Sequence, residues 1–290
     1  MKKLLSIVLA LMMAISCLAG ISAEAFAAEP PQNGWYKVTE TYENEDGETE
    51  KFDIWFYYQN GKYVTGWRYI NKKWYFFDED GWMYCDQPYV GDEDKGEFYY
   101  FDNTGAMVTG WFKYNGEYEN DEGEMVKYTE WYYFANNGKI VMGWQKIGGK
   151  WYYFDEEEFM MLTGVQNIKD KWYLFADSGE MKIGWQKVDG YWYYFKSSGE
   201  CAKGWCQVGN KWYYFEPKED GDIMSMSIGW KKIGSRWYFF NGSGAMITGW
   251  LKSGGKWYYF NKSGAMMANT SLKIGKKTYK FNASGACTNP

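Results

Sequence analysis

Short runs of Trp, Tyr, Phe, Ile and Val recur along the chain, separated by Gly-Gly, Asn-Lys and similar polar pairs. This alternation of apolar runs and turn residues is typical of β-hairpins. In the copy that spans residues 144–154 (WQKIGGKWYYF), the Gly-Gly pair predicts a two-residue turn with Ile147 opposite Lys150. The same register places Trp144 opposite Tyr153. The segment is therefore predicted to fold as one hairpin of two short strands.

The side chains of this hairpin are predicted to divide between two faces, because successive residues of a strand point to opposite sides. We expect one face to be packed core, and the other to be a row of aromatic rings larger than stability requires. The core face holds Ile147, Tyr152 and Phe154, and the aromatic face holds Trp144, Trp151 and Tyr153.

The hairpin pattern returns about every twenty residues over most of the chain. Between hairpins, stretches of the form Asp-x-x-Gly-x-Met contain a glycine that permits a tight connection. An isolated hairpin is marginally stable in water, so each must bury its core face against a neighbour. We therefore predict an all-β solenoid of stacked β-hairpin repeats. Its WYYF-type strands begin at Trp55, Trp74, Phe98, Trp131, Trp151, Trp172, Trp192, Trp212, Trp237, Trp257 and Thr278.

The chain is predicted to have three segments. Residues 1–27 combine basic residues, an apolar stretch and a small-residue end, which predicts a secretory signal peptide. Residues 28–34 form a short linker, and residues 35–290 form an array of about ten to eleven repeats with no separate catalytic domain. No later apolar run is long enough to span a bilayer. We therefore expect a secreted protein that is held at the cell surface.

Composition excludes several classes of function. The chain contains no His, which removes Ser-His-Asp and Cys-His catalysis and His-ligated zinc. Its formal charge is −5, and removal of Lys2, Lys3 and Glu24 with the signal peptide (a net of +1) leaves −6. An acidic chain is a poor partner for nucleic acid. We expect no enzyme activity, no metal and no cofactor.

Four cysteines follow the signal segment, and each stands at a repeat position that other copies fill differently. This pattern predicts small apolar substitutions rather than a disulfide framework or a zinc site. A disulfide between Cys201 and Cys206 across a turn is the alternative. The four residues are Cys85, Cys201, Cys206 and Cys287.

Two hairpins are longer than the others. Trp35 and Trp55 are twenty residues apart instead of seven, as are Trp111 and Trp131. Their acidic inserts are expected to be solvated loops at hairpin tips. The acidic residues 92–96 (DEDKG) resemble the start of a calcium-binding EF-hand loop, but they misplace the Gly and lack the distal Glu. We expect a solvated loop there as well.

The full pattern GW-x(4–6)-WYYF-x(3–4)-G-x-M-x-x-GW resembles the cell-wall-binding repeat family, best known for the choline-binding modules of Gram-positive surface proteins. The resemblance covers essentially everything after the signal segment. It implies a superhelical stack with ligand sites between consecutive repeats. Each site would join the GW Trp, the first Trp of WYYF and the second Tyr of the next WYYF, often with a Met alongside. Such an arrangement attracts a quaternary ammonium group through cation–π interactions.

Carried over residue by residue, the resemblance implies four complete sites and two in which Phe replaces Tyr. The complete sites are Trp185, Trp192 and Tyr214; Trp230, Trp237 and Tyr259 with Met246; Trp67, Trp74 and Tyr100 with Met83; and Trp111, Trp131 and Tyr153. The sites with Phe are Trp205, Trp212 and Phe239, and Trp35, Trp55 and Phe76.

Three further sites are expected to bind weakly because one residue departs from the pattern. The departures are Leu174 beside Trp144 and Trp151, Val165 in place of the Trp that would pair with Trp172, and the charged Lys280 beside Trp250 and Trp257.

The resemblance implies non-covalent attachment to choline on teichoic or lipoteichoic acid, with avidity from many weak sites. The alternative is a carbohydrate-binding module, in which the same aromatic rings stack on the sugars of a glucan. A wall hydrolase would need a further domain, and the repeats leave no segment of that size. We therefore expect a binding protein.

Overall fold

The computed structural model describes residues 29–43, 48–91, 97–218 and 221–290. The predicted signal peptide and the acidic residues 92–96 lie outside the described residues. Within these ranges every regular element is a β-strand, so the prediction of an all-β fold is confirmed. The chain divides into two compact units, Met1–Leu162 and Thr163–Pro290, which are described separately.

The described residues of the first unit form eleven strands. They are β1 (Gly34–Glu43), β2 (Thr49–Gln59), β3 (Lys62–Tyr63), β4 (Gly66–Ile70), β5 (Lys73–Phe77), β6 (Gln87–Val90), β7 (Phe98–Phe101), β8 (Gly110–Glu119), β9 (Met125–Phe134), β10 (Gly143–Ile147) and β11 (Lys150–Phe154).

The described residues of the second unit form thirteen strands. They are β12 (Gly164–Ile168), β13 (Lys171–Phe175), β14 (Gly184–Val188), β15 (Tyr191–Phe195), β16 (Gly204–Val208), β17 (Lys211–Lys218), β18 (Gly221–Met226), β19 (Gly229–Ile233), β20 (Arg236–Phe240), β21 (Gly249–Ser253), β22 (Lys256–Phe260), β23 (Thr270–Ile274) and β24 (Lys277–Phe281).

These strands pair as a series of separate antiparallel hairpins. Across the described ranges there are eleven small sheets, and each contains one hairpin with a WYYF-type second strand. Two of the sheets gain a third strand, β3 beside β2 and β18 beside β17. Because each hairpin is its own sheet, consecutive hairpins must be held together by side-chain packing and by loop contacts.

The hairpin β10–β11 has the predicted register. Ile147 pairs with Lys150, and Trp144 pairs with Tyr153. Gly148 and Gly149 form the turn with φ values of 58° and 83°, the left-handed conformations that a type I′ hairpin turn requires at both central residues. Tyr152 and Phe154 are buried, as expected for the core face.

The final Phe of the WYYF segments supplies the centre of the core. Phe77 and Phe154 in the first unit, and Phe195 and Phe260 in the second, have no exposed surface. A buried aromatic ring of this size contributes about 1.5–3 kcal/mol relative to an exposed one. The aromatic repeat therefore stabilises the stack as well as forming its surface.

Within each unit, a backbone hydrogen bond connects most of the described loops to the preceding hairpin. The residue at the Met position donates its N–H to the carbonyl oxygen of the aromatic residue that begins the previous WYYF strand. This bond fixes how far each hairpin is displaced from the one before it. Examples are Met83 to Trp55, Met107 to Trp74, Met161 to Trp131, Cys201 to Trp172, Met246 to Trp212, Met266 to Trp237 and Cys287 to Trp257, all at 2.7–2.8 Å.

The two long hairpins are long because their strands continue. Pairing in β1–β2 extends to Glu43 and Thr49, and pairing in β8–β9 extends to Glu119 and Met125. The expectation that both inserts are loops is therefore wrong for most of their residues. Alternating apolar and polar residues allow the inserts to extend the ladder, and in the second long hairpin the turn is confined to residues 120–124.

Candidate functional site

Each GW Trp lies edge-on to the Trp that begins the second strand of its own hairpin. In eight such pairs within the described residues, the ring centroids are 6.2–6.5 Å apart and the ring planes differ by 80–90°. In β21–β22, Trp250 pairs with Tyr259 and Trp257 with Lys252, so both indoles lie on one face. Trp257 is 38% exposed. The face that carries the tryptophans therefore remains accessible to solvent.

A third ring comes from the following hairpin and completes seven of these tryptophan pairs. It belongs to the first Tyr of the next WYYF-type segment. Within the two units the structure gives seven such contacts, with centroids 4.7–5.0 Å apart; we call each group of two Trp and one Tyr a cage. The contacts join Trp35 with Tyr75, Trp67 with Tyr99, Trp111 with Tyr152, Trp185 with Tyr213, Trp205 with Tyr238, Trp230 with Tyr258 and Trp250 with Tyr279.

The residues predicted from the sequence as the third ring lie elsewhere. Tyr214 packs 5.2 Å from Trp205 of its own hairpin, whereas Tyr213 contacts Trp185 of the preceding hairpin at 4.8 Å. Stacked hairpins apply opposite faces to each other, so the tryptophan face of one meets the core face of the next. The expected contact with the preceding tryptophan pair is therefore made by the residue one place earlier, and not by Phe76, Tyr100, Tyr153, Tyr214, Phe239 or Tyr259.

Tyr100 illustrates this correction. Its ring packs 4.4 Å from Phe112, and its hydroxyl donates a hydrogen bond of 2.9 Å to Asp86. Tyr99, one residue earlier, lies 4.8 Å from Trp67. The two tyrosines point to opposite faces of β7, and only Tyr99 faces the tryptophans of the preceding hairpin.

The methionines also belong to a different cage from the predicted one. Met83 bonds to the backbone of Trp55, and Met246 bonds to the backbone of Trp212, each through the loop hydrogen bond of 2.8 Å. Met83 also packs against Trp35 and Trp55 in one apolar cluster. Each Met therefore contributes to the cage that precedes its own hairpin, one cage earlier than the sequence predicts.

The cage of the first unit that contains Trp67 encloses a cavity of about 290 Å³. Trp67, Trp74 and Tyr99 form three walls, and Met107 and Asn137 form the remainder. Asn137 comes from the second hairpin along the chain, so three successive hairpins build one cavity. It is slightly smaller than a pocket for a drug-sized ligand, which typically measures about 300–1,000 Å³.

The cage that contains Trp230 repeats this construction in the second unit. Its cavity of about 190 Å³ is lined by Trp230, Trp237, Tyr258, Met266 and Ser284. Ser284 occupies the loop position that Asn137 occupies in the first unit, immediately before a glycine. Two independent cavities thus show the same order of indole, indole, phenol, thioether and small polar side chain.

The lining of both cavities has a consistent chemistry. Neither contains a carboxylate, an ammonium or a guanidinium group among its lining residues. Three aromatic faces favour a cation through their quadrupoles, by about 0.5–2 kcal/mol for each good contact. A quaternary ammonium group suits such a cavity, because it has no N–H that would require an acceptor.

Family models match much of the chain. The choline-binding repeat matches residues 127–161, 182–225 and 227–271, and the cell wall binding repeat matches residues 65–83, 93–107 and 165–181. The solved structure of CbpJ from Streptococcus pneumoniae TIGR4 is 30% identical, with a TM-score of 0.61, over 87% of this chain and 94% of that chain. This chain belongs to the choline-binding repeat family.

Two further solved structures are similar over nearly the same length. Choline binding protein F from Streptococcus pneumoniae, solved in the presence of a peptidoglycan analogue, is 29% identical over 86% of this chain and 93% of that chain, with a TM-score of 0.56. CbpF in complex with ipratropium is 27% identical over the same shares, with a TM-score of 0.55. The comparison with curated proteins finds no match.

One choline-binding repeat has lost its tryptophan pair. In β12–β13, Val165 takes the GW position and pairs with Leu174, while Trp172 is kept. Leu174 therefore lies on the tryptophan face of its own hairpin, beside Val165, and both departures fall in one repeat. Among the cages formed within the second unit, we expect this one to lack a wall.

Lys280 does not occupy the cage of Trp250 and Trp257. The third ring there is Tyr279, 4.7 Å from Trp250. Lys280 pairs with Ser271 on the other face of the last hairpin. Lys280 therefore does not bring its charge to the tryptophan face of β21–β22, where the sequence had placed it.

A filled interface follows the hairpin β6–β7, and the sequence did not predict it. Pro88 and Phe98 stand where other hairpins carry Trp, and the N–H of Ile140 bonds to the carbonyl of Phe98 at 2.9 Å. Phe159, only 5% exposed, packs 5.1 Å from Phe98. Phe159 stands at the loop position that is glycine in most repeats. This replacement is the feature of the sequence from which the filled interface could have been predicted.

The cysteines are thiols packed among apolar residues. Cys85, Cys201, Cys206 and Cys287 are all free, so the alternative of a Cys201–Cys206 disulfide is not realised. Burial raises the pKa of Cys201 to about 11. A thiol with this pKa stays protonated at neutral pH, which fits the expected packing role.

The described residues contain no group of three or more His, Cys, Asp or Glu placed to hold a metal ion. They also contain no helix long and apolar enough to cross a membrane.

Proposed function

We propose that this protein attaches non-covalently to the cell wall by taking quaternary ammonium groups, chiefly choline on teichoic or lipoteichoic acid, into its cages. The observation that carries the proposal is the cavity of Trp67, Trp74 and Tyr99, which has three aromatic walls and no carboxylate, ammonium or guanidinium group in its lining. Membership of the choline-binding repeat family supports the same ligand.

Wall attachment would depend on several weak sites acting together. The two cavities offer a few cation–π contacts and no counter-charge in their linings, so a single site is expected to be weak. Seven cages in two units convert weak sites into avidity when the ligand is repeated along a polymer. Free choline at high concentration would then release the protein.

The proposal includes secretion and excludes catalysis by this chain. Residues 1–27 would direct export, residues 28–34 would form a linker, and residues 35–290 would serve as the binding array. Hairpins recur through the described residues from Gly34 to Phe281, and the chain has no His. The function would therefore be attachment to the wall rather than its hydrolysis.

Retention on an immobilised choline resin tests the ligand. The mature chain should bind the resin, elute with free choline and resist elution by soluble glucan at the same concentration. Elution by glucan but not by choline would contradict the proposal and favour sugar stacking on the same rings. The alanine variant of Trp82 is a suitable control, because Trp82 lies outside the cages at a loop position where other repeats carry Ala.

A further inference from the structure

A lysine lies over the indole of several cages. Lys113 pairs across the strands with Trp131, and its Nζ is 6.0 Å from the centre of that ring. Lys252 pairs with Trp257 in the same way, at 5.8 Å. In two other cages the equivalent position is uncharged, with Tyr69 opposite Trp74 and Gln207 opposite Trp212. The cages therefore differ in the charge at one defined position of the rim.

In the first long hairpin, the lysine at the equivalent position forms an ion pair with a carboxylate. Lys37 lies 5.8 Å from the ring centre of Trp55, and its Nζ is 2.9 Å from Asp53. Hydrogen bonds from Thr39 and Lys37 hold the pKa of Asp53 below its ordinary value, so the carboxylate is charged at neutral pH. At the matching position of the second long hairpin stands Thr129, which bonds to Asn115. Lys113, the lysine over Trp131, therefore has no carboxylate at the position that corresponds to Asp53.

We propose that Lys113 and Lys252 are specificity residues, which make their cages prefer a quaternary ammonium group that carries an anionic group next to it. The inference rests on the proposed function, because it concerns which form of ligand each cage takes. The ligand class is a zwitterion of the phosphocholine type, with its ammonium in the cage and its phosphate toward the lysine.

The physical reason is competition for one indole. A caged ammonium and the lysine ammonium would both lie within about 6 Å of the same ring. The two positive charges would repel each other and compete for the negative face of that ring. A phosphate on the ligand changes the sign of this effect, because it forms a charge-assisted contact with the exposed lysine. An exposed ion pair contributes about 0.2–1 kcal/mol, which corresponds to a change in affinity of up to about fivefold.

Fluorine NMR of the full mature chain labelled with fluorotryptophan would measure the cages separately. Trp55, Trp74, Trp131 and Trp257 are assigned by single Trp→Phe variants, and each resonance is titrated with choline and with phosphocholine at low ionic strength. The quantity compared is the ratio of the two dissociation constants at each ring. The variants are Lys113→Gln and Thr129→Asp, which act at Trp131, and Asp53→Asn, which acts at Trp55.

Phosphocholine should be favoured over choline by about two- to fivefold more at Trp131 and Trp257 than at Trp74. Lys113→Gln and Thr129→Asp should each bring the ratio at Trp131 to the value at Trp74. Asp53→Asn should raise the ratio at Trp55, and 0.5 M salt should reduce all the differences.

Equal ratios at all four rings, or a ratio at Trp131 that Lys113→Gln leaves unchanged, would overturn the inference while the cages still bind choline. No response of any cage resonance to either ligand would instead overturn the proposed function. The substituted side chains of Lys113 and Asp53 are exposed, so the variants are expected to fold.

Discussion

At the scale of single residues, the direction of one tyrosine decides what each cage is made of. The ring of Tyr258 lies 4.8 Å from Trp230 of the preceding hairpin. The ring of Tyr259, the next residue on the strand, lies 5.1 Å from Trp250 of its own hairpin. Two adjacent tyrosines thus face two different cages. A substitution at either position tests the stacking arrangement as well as the ligand.

The last complete cage offers the clearest test of this point. Tyr279→Ala should remove one bound choline, because it takes away the ring 4.7 Å from Trp250. Lys280→Ala should leave the number unchanged, since Lys280 lies on the other face of the strand. Isothermal titration calorimetry with choline measures both variants. Loss of a bound choline in Lys280→Ala but not in Tyr279→Ala would instead show that position 280 forms the cage wall.

A missing residue can also be supplied. Val165→Trp should add one bound choline, because it restores the indole that the repeat of Trp172 lacks. Val165→Leu is the matched control, which enlarges the side chain without adding an aromatic face. The number of cholines bound at saturation, measured by equilibrium dialysis, should rise for the first variant only. An unchanged number in a folded Val165→Trp variant would show that a second indole is not sufficient for a site.

At the scale of the hairpin and its neighbours, a close approach between loops holds the methionine in the cage. Gly138 has φ of +80°, and a Cβ added to it would lie within van der Waals overlap of the side chain of Met107. Met107 lines the cavity of Trp67 and Trp74. The loop after β8–β9, which contains Gly138, therefore supports the Met107 side chain that forms the thioether wall of the cage.

Gly138→Ala should cost this cage its ligand, because the added methyl group displaces Met107 into the cavity. Gly110→Ala is the control, since its φ of +79° gives the same backbone strain, and nothing lies within 4 Å of its added Cβ. Left-handed strain costs both variants about 1–2 kcal/mol of folding free energy. Thermal unfolding should therefore show a loss in both, while equilibrium dialysis should show one choline fewer only for Gly138→Ala. Equal choline binding by the two variants would contradict the account.

The filled interface makes a different prediction at this scale. Phe159→Ala should lower the free energy of unfolding by about 3–5 kcal/mol, because it leaves a cavity beside Phe98 and Ile140. It should not add a bound choline, since Pro88 and Phe98 leave no indole there. Denaturant unfolding monitored by circular dichroism gives the first quantity. A new choline site in this variant would show that Phe159 blocks a cage rather than replacing one.

The sequence predicted the inside of each hairpin better than the contacts between hairpins. The Gly-Gly turn and strand alternation were sufficient to pair Trp144 with Tyr153 and to bury Phe154, because these are local properties. The choice between Tyr213 and Tyr214 depends on which face meets the preceding hairpin, and alternation within one strand contains no information about that. Phe159 was missed because its packing partner, Phe98, is remote in sequence.

At the scale of the whole molecule, recognition by rings rather than by charges predicts binding that does not depend on pH. Burial and the charge of Asp102 raise the pKa of Tyr75, so this cage tyrosine is neutral at pH 9. The chain has no His, and neither described cavity is lined by a carboxylate. Retention on choline resin should therefore be the same at pH 5, 7 and 9. A loss of binding at pH 5 would indicate that a carboxylate contributes to the cages.

If choline binds in cages of two tryptophans and one tyrosine, the number of bound cholines must fall when one wall of a cage is removed. Equilibrium dialysis at saturating choline would compare the wild-type chain with Trp237→Ala, which removes one wall of a cage, and with Trp82→Ala as the control. Trp237→Ala should bind one choline fewer, Trp82→Ala should bind an unchanged number, and both variants should be folded. An unchanged number for folded Trp237→Ala, or the same loss in both variants, would contradict binding in these cages.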